Sequence, residues 1–188
     1  FPSIMYFIYL HSYKKVHIEV FENYQRHSLR NRCKIIGANG EILLTIPIIG
    51  RNQSKTKTKD IQIANQNWQK KHILSLQSAY GSAPFFIYYI EEIKNILNKN
   101  FKYLIDLNLE LIDYINLELN IQKNIQKTSQ YLHRYPKDFL DCRSTIPIKH
   151  IHKYQQTFSS NFVPNLSILD LMFNLGPNAK EYVLQYCK

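Results

Sequence analysis

Residues 85–121 read FFIYYIEEIKNILNKNFKYLIDLNLELIDYINLELNI, and this stretch decides the fold. Ile90, Ile93, Leu97, Phe101, Leu104 and Ile105 recur at helical spacing, followed by Leu111, Ile112, Ile115 and Leu119. A run of this length with a 3.6-residue period predicts two helices or one bent helix, although Leu107, Leu109 and Leu111 also alternate as a strand would. Upstream, Asn65 or Asn67 can cap a helix reaching Tyr80, which Gly81-Ser82 closes before Pro84 starts the next. Before it lie shorter elements. Residues 3–13 suit a helix, and 15–21 alternate Val16, Ile18 and Val20 against His17 and Glu19 as a half-buried strand does. Further strands are expected at 33–36, at 42–49 after the turn signal Ala38-Asn39-Gly40, and at 60–64, with a polar loop at 51–59. Beyond the long helices, Pro136, Pro147 and Pro164 interrupt the chain; a strand near 126–131 and a helix over 167–174, stopped by Gly176-Pro177, complete it. The expected fold class is α/β, a mixed sheet of short strands covered by long helices, with α+β as the alternative.

The length of 188 residues and mass of 22.4 kDa fit one domain. A 45% hydrophobic content supplies a core and excludes intrinsic disorder. No apolar run reaches the roughly 18–20 residues of a spanning helix. The net charge of +10 invites a nucleic-acid reading, yet 18 Lys against 6 Arg, with many Ile and Asn and few Ala and Gly, is the signature of AT-rich codons. Three cysteines without a C-x-x-C favour a reducing cytoplasm over a disulfide scaffold. The opening Phe1-Pro2 lacks the pattern of a signal peptide and reads as the interior of a longer chain.

There is no Walker loop, G-x-G-x-x-G, G-x-S-x-G or H-E-x-x-H, which disfavours common nucleotide-hydrolase and dinucleotide mechanisms. His150 and His152 could share one face of an extended segment, but no carboxylate or cysteine nearby completes a tetrahedral metal set. The densest polar stretch, Glu22-Asn23-Tyr24-Gln25 through Arg30-Asn31-Arg32-Cys33, follows the first strand. Guanidinium forks and amides there suit an anionic, hydroxyl-rich ligand, or form a solvated loop with an ion pair to Glu22. Trp68, Lys71 and His72 fall at i, i+3 and i+4. His72 could be a general base whose pKa is lowered by the adjacent lysine, with Trp68 stacking on a ligand; the alternative is a core tryptophan beside a surface lysine. Asp106, Glu110 and Asp113 form a carboxylate stripe, either acid/base groups or the wet face of a helix. Ser167 and Asp170 can serve the last helix as N-cap and first-turn acid.

Taken in order, several stretches resemble the WbqC-like protein family of bacteria. They are Pro2 with Tyr6-Phe7, Glu22 to Gln25, Asn31-Arg32, Thr45 to Ile48, Trp68 with Lys71-His72, Tyr80, Pro84-Phe85 and Asp106-Leu107-Asn108. Tyr154, Gln156, Phe158, Pro164 to Asp170, Phe173-Asn174 and Gly176-Pro177 continue the series. The chain departs from that family in starting inside the aromatic N-terminal motif and in a shorter spacing from Gln25 to Asn31. Members are often encoded among genes for O-antigen or other surface-polysaccharide synthesis, and some are described as glycine or acyl transferases. The resemblance implies acyl or aminoacyl transfer onto a nucleotide-linked amino sugar; no cofactor and no metal are expected. Arg30, Arg32 and Lys71 would hold the diphosphate, and His72 or Glu22 would take the amine proton. Gln25, Asn31, Asn108 and Asn174 would hydrogen-bond sugar and acyl groups, and Trp68, Asp106, Tyr154, Gln156 and Asp170 would complete the binding set. Alternatives are a non-catalytic protein of the same pathway that holds a sugar nucleotide or a partner enzyme, and a nucleic-acid binder using 26–32 and the lysines of 55–59.

Overall fold

In the computed structural model, the described residues are 1–25, 28–49, 55–143, 150–158 and 161–187. Residues 51–54 of the expected polar loop, Arg26 of the basic stretch, and Pro147 lie outside them. The ordered elements are α1 (Ile4–Ser12), β1 (Val16–Ile18), β2 (Arg32–Gly37), β3 (Gly40–Thr45), α2 (Trp68–Tyr80), α3 (Phe86–Leu97), α4 (Leu104–Glu118), β4 (Ile125–Lys127), α5 (Ile168–Leu175) and α6 (Ala179–Leu184). Helices and short strands thus combine as expected, but the strands are divided. β2 and β3 form an antiparallel hairpin, whereas β1 pairs with β4 in parallel, Val16 opposite Ile125.

The long periodic run resolves into two helices. Asn98 caps α3, and Asn100 takes a left-handed conformation with φ of 54°, which a short polar side chain tolerates. Backbone bonds from Ile63 to Lys102 and from Leu104 to Ile61 then turn the chain into α4. The helical reading of Leu107, Leu109 and Leu111 therefore holds. Asn67 does precede α2, but its side chain makes no capping bond, because its backbone is left-handed with φ of 48°.

Other boundaries differ from the sequence expectation. β3 ends at Thr45, where Asn31 meets Ile46 through backbone and side chain. In place of a strand at 60–64 there is a 3-10 turn, Thr58–Asp60, followed by isolated bridges at Gln62 and Ile63. The late strand is Ile125–Lys127, because Ile18 and Val20 take up Thr128 and end the pairing there. Gly176-Pro177 stops α5 but opens a 3-10 turn, Gly176–Asn178, which leads into α6, since a proline at the first position of a helical turn loses no hydrogen bond.

α5 is the centre of the core, with Ile168, Leu169, Leu171, Met172 and Phe173 all fully buried. Phe173 meets the rings of Tyr80, Phe86 and Tyr89 from α2 and α3. α1 lies beside it, because Ile4 and Ile168 bond reciprocally to Leu166 and Pro2 across the chain termini. Ser3 and Ser167 cap the two helices, and Ser167 N–H also donates to Lys34 of β2 at 2.8 Å. The N-terminal segment, the hairpin and the C-terminal helices are thereby locked at one seam.

A polar-mouthed cleft between the hairpin and the long helices

The polar loop after β1 is held by the segment at 56–59. Tyr24 N–H donates to Thr56, Thr58 N–H to Glu22 and Lys59 N–H to Val20, an extended pairing that fixes the direction of the Glu22 side chain. Arg30 Nε donates to Glu22 Oε1 at 2.9 Å, and Nη2 reaches the same oxygen. Nη2 also donates to the Arg143 carbonyl at 3.2 Å, so one guanidinium joins this loop to the irregular segment 131–143. Asn31 is fully engaged: its Oδ1 accepts from Tyr24 Oη at 2.9 Å and its Nδ2 donates to the Ile46 carbonyl at 2.8 Å. From α4, Asn108 Nδ2 donates to the Arg30 carbonyl at 2.8 Å.

These groups border a cleft of about 1000 Å³, whose polar lining includes Glu22, Gln25, Arg30, Arg32, His72 and Asn108. Its volume is at the upper end for small-molecule sites. Among the described residues no donor reaches Glu22 Oε2, and the Gln25 side chain is exposed. Six of the expected site residues, with Asn31 behind them, are therefore brought together, although they come from 22–32, α2 and α4.

His72 enters the cleft from α2 with its ring edge-on to Trp68, centroids 5.0 Å apart. Its Nε2 lies 3.1 Å from the Thr45 carbonyl, which can only accept, so Nε2 carries the hydrogen and Nδ1 keeps the lone pair. Burial pushes its pKa down to about 4, against the hydrogen bond to Thr45, which favours the charged form. The expected cause, charge on Lys71, is corrected: Lys71 is exposed and does not line the cleft. Trp68 is a core residue and borders a smaller cavity of about 270 Å³ with Asn65, Gln69 and Asn100.

The C-terminal candidates form a separate, internal cluster. Asp170 is completely buried, and its carboxylate accepts from Tyr80 Oη at 2.9 Å, from Gln156 Nε2 at 3.0 Å and from Tyr154 Oη. Tyr80 Oη in turn accepts from Ile36 N–H of β2 at 3.2 Å. Gln156 closes both its ends on Val163, and Asn174 joins Thr157 to the Asp170 carbonyl. Burial raises the Asp170 pKa, opposed by its three donors. None of Tyr154, Gln156, Asp170 or Asn174 lines the cleft.

Asp106 is exposed and faces Lys127 at 3.6 Å, while Glu110 pairs with Lys99, so this stripe is the wet face of α4. His150 and His152 stack edge-on at 6.0 Å, and among the described residues no three His, Cys, Asp or Glu side chains converge on a point fit for a metal ion. No described helix is long and apolar enough to cross a membrane. Sequence reasoning missed Arg143, Cys142 and Thr58 at the cleft. Only the proximity of 131–143 to the Glu22 loop brings the first two there, and nothing periodic in that segment signals it.

Comparison with known proteins places this geometry in context. The chain is 26% identical over 199 residues to the uncharacterized protein Rv1507c of Mycobacterium tuberculosis, covering 88% of this chain and 85% of that protein. No solved structure matches. The model of the WbqC-like protein family matches residues 1–140 and 136–182, and the chain belongs to the WbqC-like protein family.

Proposed function

We propose that this chain transfers an acyl or aminoacyl group onto the amine of a nucleotide-linked sugar in bacterial surface-polysaccharide (O-antigen) synthesis, and that it does so in the cleft. The observation that supports this most is that Glu22, Gln25, Arg30, Arg32 and Asn108 line one cleft of about 1000 Å³, with Arg30 paired to the Glu22 carboxylate and held in turn by Asn108. The guanidinium groups suit a diphosphate, and the amides suit sugar hydroxyls.

In the reaction, the sugar amine attacks the carbonyl carbon of an activated acyl donor such as a thioester. A C–N bond forms, the C–S bond breaks, and the ammonium proton passes through a base to the departing thiolate. Glu22 Oε2 is the base better placed, because Arg30 holds Oε1 while no donor among the described residues reaches Oε2. His72 Nδ1 is a second acceptor, weakened by the burial that holds its pKa low. Lys71 and Asp106 lie on the exposed surface, and the Asp170 cluster supports the frame from beneath.

The test is a transfer assay with a thymidine-diphosphate amino sugar and acetyl-coenzyme A. Glu22→Gln should reduce turnover about 100-fold or more while the sugar nucleotide still raises the thermal midpoint. Stabilisation by the sugar nucleotide with no turnover of any thioester or aminoacyl donor favours a non-catalytic holder, a reading suited to a mouth whose side chains already bond one another.

A further inference from the structure

The segment 131–143 is built inside out. Its centre is a guanidinium: Arg143 Nη1 donates to the Leu132 carbonyl at 2.7 Å, Nη2 to the His133 carbonyl at 3.2 Å, and Nε to Asp141 Oδ1 at 2.9 Å. The centroids of the Tyr131 and Tyr135 rings lie 5.2 and 4.9 Å from the same group. Tyr135 Oη donates to Glu19 Oε2 at 2.7 Å, which ties the segment to the chain just after β1. A charged, hydrogen-bonded centre leaves no interior for apolar side chains. Tyr131, Leu132, Phe139 and Leu140 accordingly stand 40%, 38%, 42% and 39% exposed, and Leu29, which borders the cleft with Phe139 and Leu140, stands 60% exposed. Large apolar groups gathered on one stretch of surface mark an interaction site, where single ones do not.

The charge around these groups indicates the partner. Asp141 is neutralised by Arg143, and among the described residues neither Arg134 nor Lys137, both exposed, has an acidic partner, so the segment's cations outnumber its remaining carboxylate, Asp138. Lys57 sits over the Tyr131 ring at 6.0 Å, and the exposed Lys14 and Lys15 border the cleft with Phe139 and Leu140. We infer that this surface docks on an anionic lipid bilayer, with Leu29, Leu132 and Leu140 entering among the headgroups and the surrounding cations meeting lipid phosphates. Apolar insertion and cationic attraction together are what interfacial binding needs, and tyrosine, with an apolar ring and a polar tip, suits that boundary. A second copy of this chain fits the surface less well, because it would set the same cations against one another. Docking of this kind does not depend on the transfer reading.

Co-sedimentation with vesicles at physiological salt is the test. The chain should bind vesicles of phosphatidylglycerol and phosphatidylethanolamine at least about tenfold more tightly than vesicles of phosphatidylcholine alone. Leu132→Asp with Leu140→Asp should weaken that binding about tenfold, and Arg134→Glu with Lys137→Glu about as much. All four side chains are exposed, so the thermal midpoint should stay close to that of the wild type. Leu140→Ser alone should act in the same direction, which keeps the apolar arm decisive if the aspartate pair misfolds. Ile87→Asp, on the exposed side of α3 and outside the segment, should bind as the wild type does. Binding lost in the charge variant but kept in the leucine variants means attraction by charge alone and overturns the inference. So do equal weakening by Ile87→Asp, equal affinity for the two kinds of vesicle, and no sedimentation with either. Dimerisation of the wild type in analytical ultracentrifugation, abolished by Leu140→Asp and without vesicle binding, gives the surface to a second copy and overturns it as well.

Discussion

His72 makes the stability of this fold depend on pH in a way that can be worked from its surroundings. The imidazole is held at a pKa of about 4, against an ordinary 6.5, chiefly by burial. Between those values the unfolded chain carries a proton on this residue and the native chain does not. The native state is therefore fully favoured above about 6.5, and that advantage is lost as the pH falls toward 4. A difference of 2.5 between the two values corresponds to about 3 kcal/mol at 1.36 kcal/mol per pKa unit. His11 is also depressed to about 4, by burial first and then by Lys123, and adds a slope of the same sign. Asp170 opposes both: its raised pKa means that the native chain keeps a proton the unfolded chain has lost, so its contribution falls as pH rises above the ordinary carboxylate range. Only a difference between variants isolates one group. Urea unfolding of the wild type and of His72→Gln is measured at several values between pH 4 and pH 7. The variant loses the Thr45 hydrogen bond and the Trp68 contact, an offset of about 1–2 kcal/mol that does not depend on pH. Its stability should then fall about 3 kcal/mol less than the wild type's across the range. Parallel curves for the two proteins would refute the claim that His72 is buried and neutral.

Other consequences follow from single contacts. Asp170→Ala strands the hydroxyls of Tyr80 and Tyr154, while the Gln156 amide keeps Val163, and at about 1–3 kcal/mol per unsatisfied group the loss should reach about 3–5 kcal/mol. Tyr154→Phe, which removes one donor, should cost about 1–2 kcal/mol by the same urea assay. Gly176 closes α5 with φ of 54° and ψ of −128°, and a Cβ there would overlap the Phe85 ring. Backbone strain of about 1–3 kcal/mol and overpacking of similar size should make Gly176→Ala lose about 3 kcal/mol, visible as a lower thermal midpoint.

The helices were legible because their periodicity is a property of neighbouring residues: Ile90, Ile93 and Leu97 describe a buried face without reference to anything else in the chain. Pairings across the chain were not. β1 lies against β4, more than a hundred residues later, and the splitting of the strands into two small sheets depends on that choice. The Glu22, Arg30 and Asn31 group was visible as a dense polar stretch, and its ion pair was an expected alternative. That Arg30 also reaches Arg143 has no local signal. Asp170 is the instructive residue. Its position in the first turn of a capped helix suggested a helix-dipole role, and the resemblance suggested substrate contact. Its actual partners, Tyr80 and Tyr154, sit 90 and 16 residues away and were accessible only to the folded chain.

The two partners of the Arg30–Glu22 pair are unequal, and the inequality determines which substitution can probe function. Glu22 keeps 8% of its side-chain exposure and Arg30 keeps 20%, so the carboxylate is the more deeply placed charge. Among the described residues, Arg30→Ala removes every charged donor that holds it, and it also cuts the bond to the Arg143 carbonyl, leaving an uncompensated anion at the wall of the cleft. Stranding a buried charge costs about 3–5 kcal/mol. Partial exposure of the pair brings the expected loss to about 3 kcal/mol. Glu22→Gln leaves a guanidinium that still reaches the Arg143 carbonyl and water, and the amide oxygen can replace Oε1, so its cost should be about 1 kcal/mol. Once the anion is gone, Arg30→Ala has less to strand. The double variant should therefore be more stable than Arg30→Ala alone, a sign that additive behaviour does not produce. If instead the double variant is the least stable of the three, Glu22 is solvated well enough to stand without its partner. Its open oxygen would then face bulk water rather than a bound amine, and the base assigned to the transfer would have to be His72.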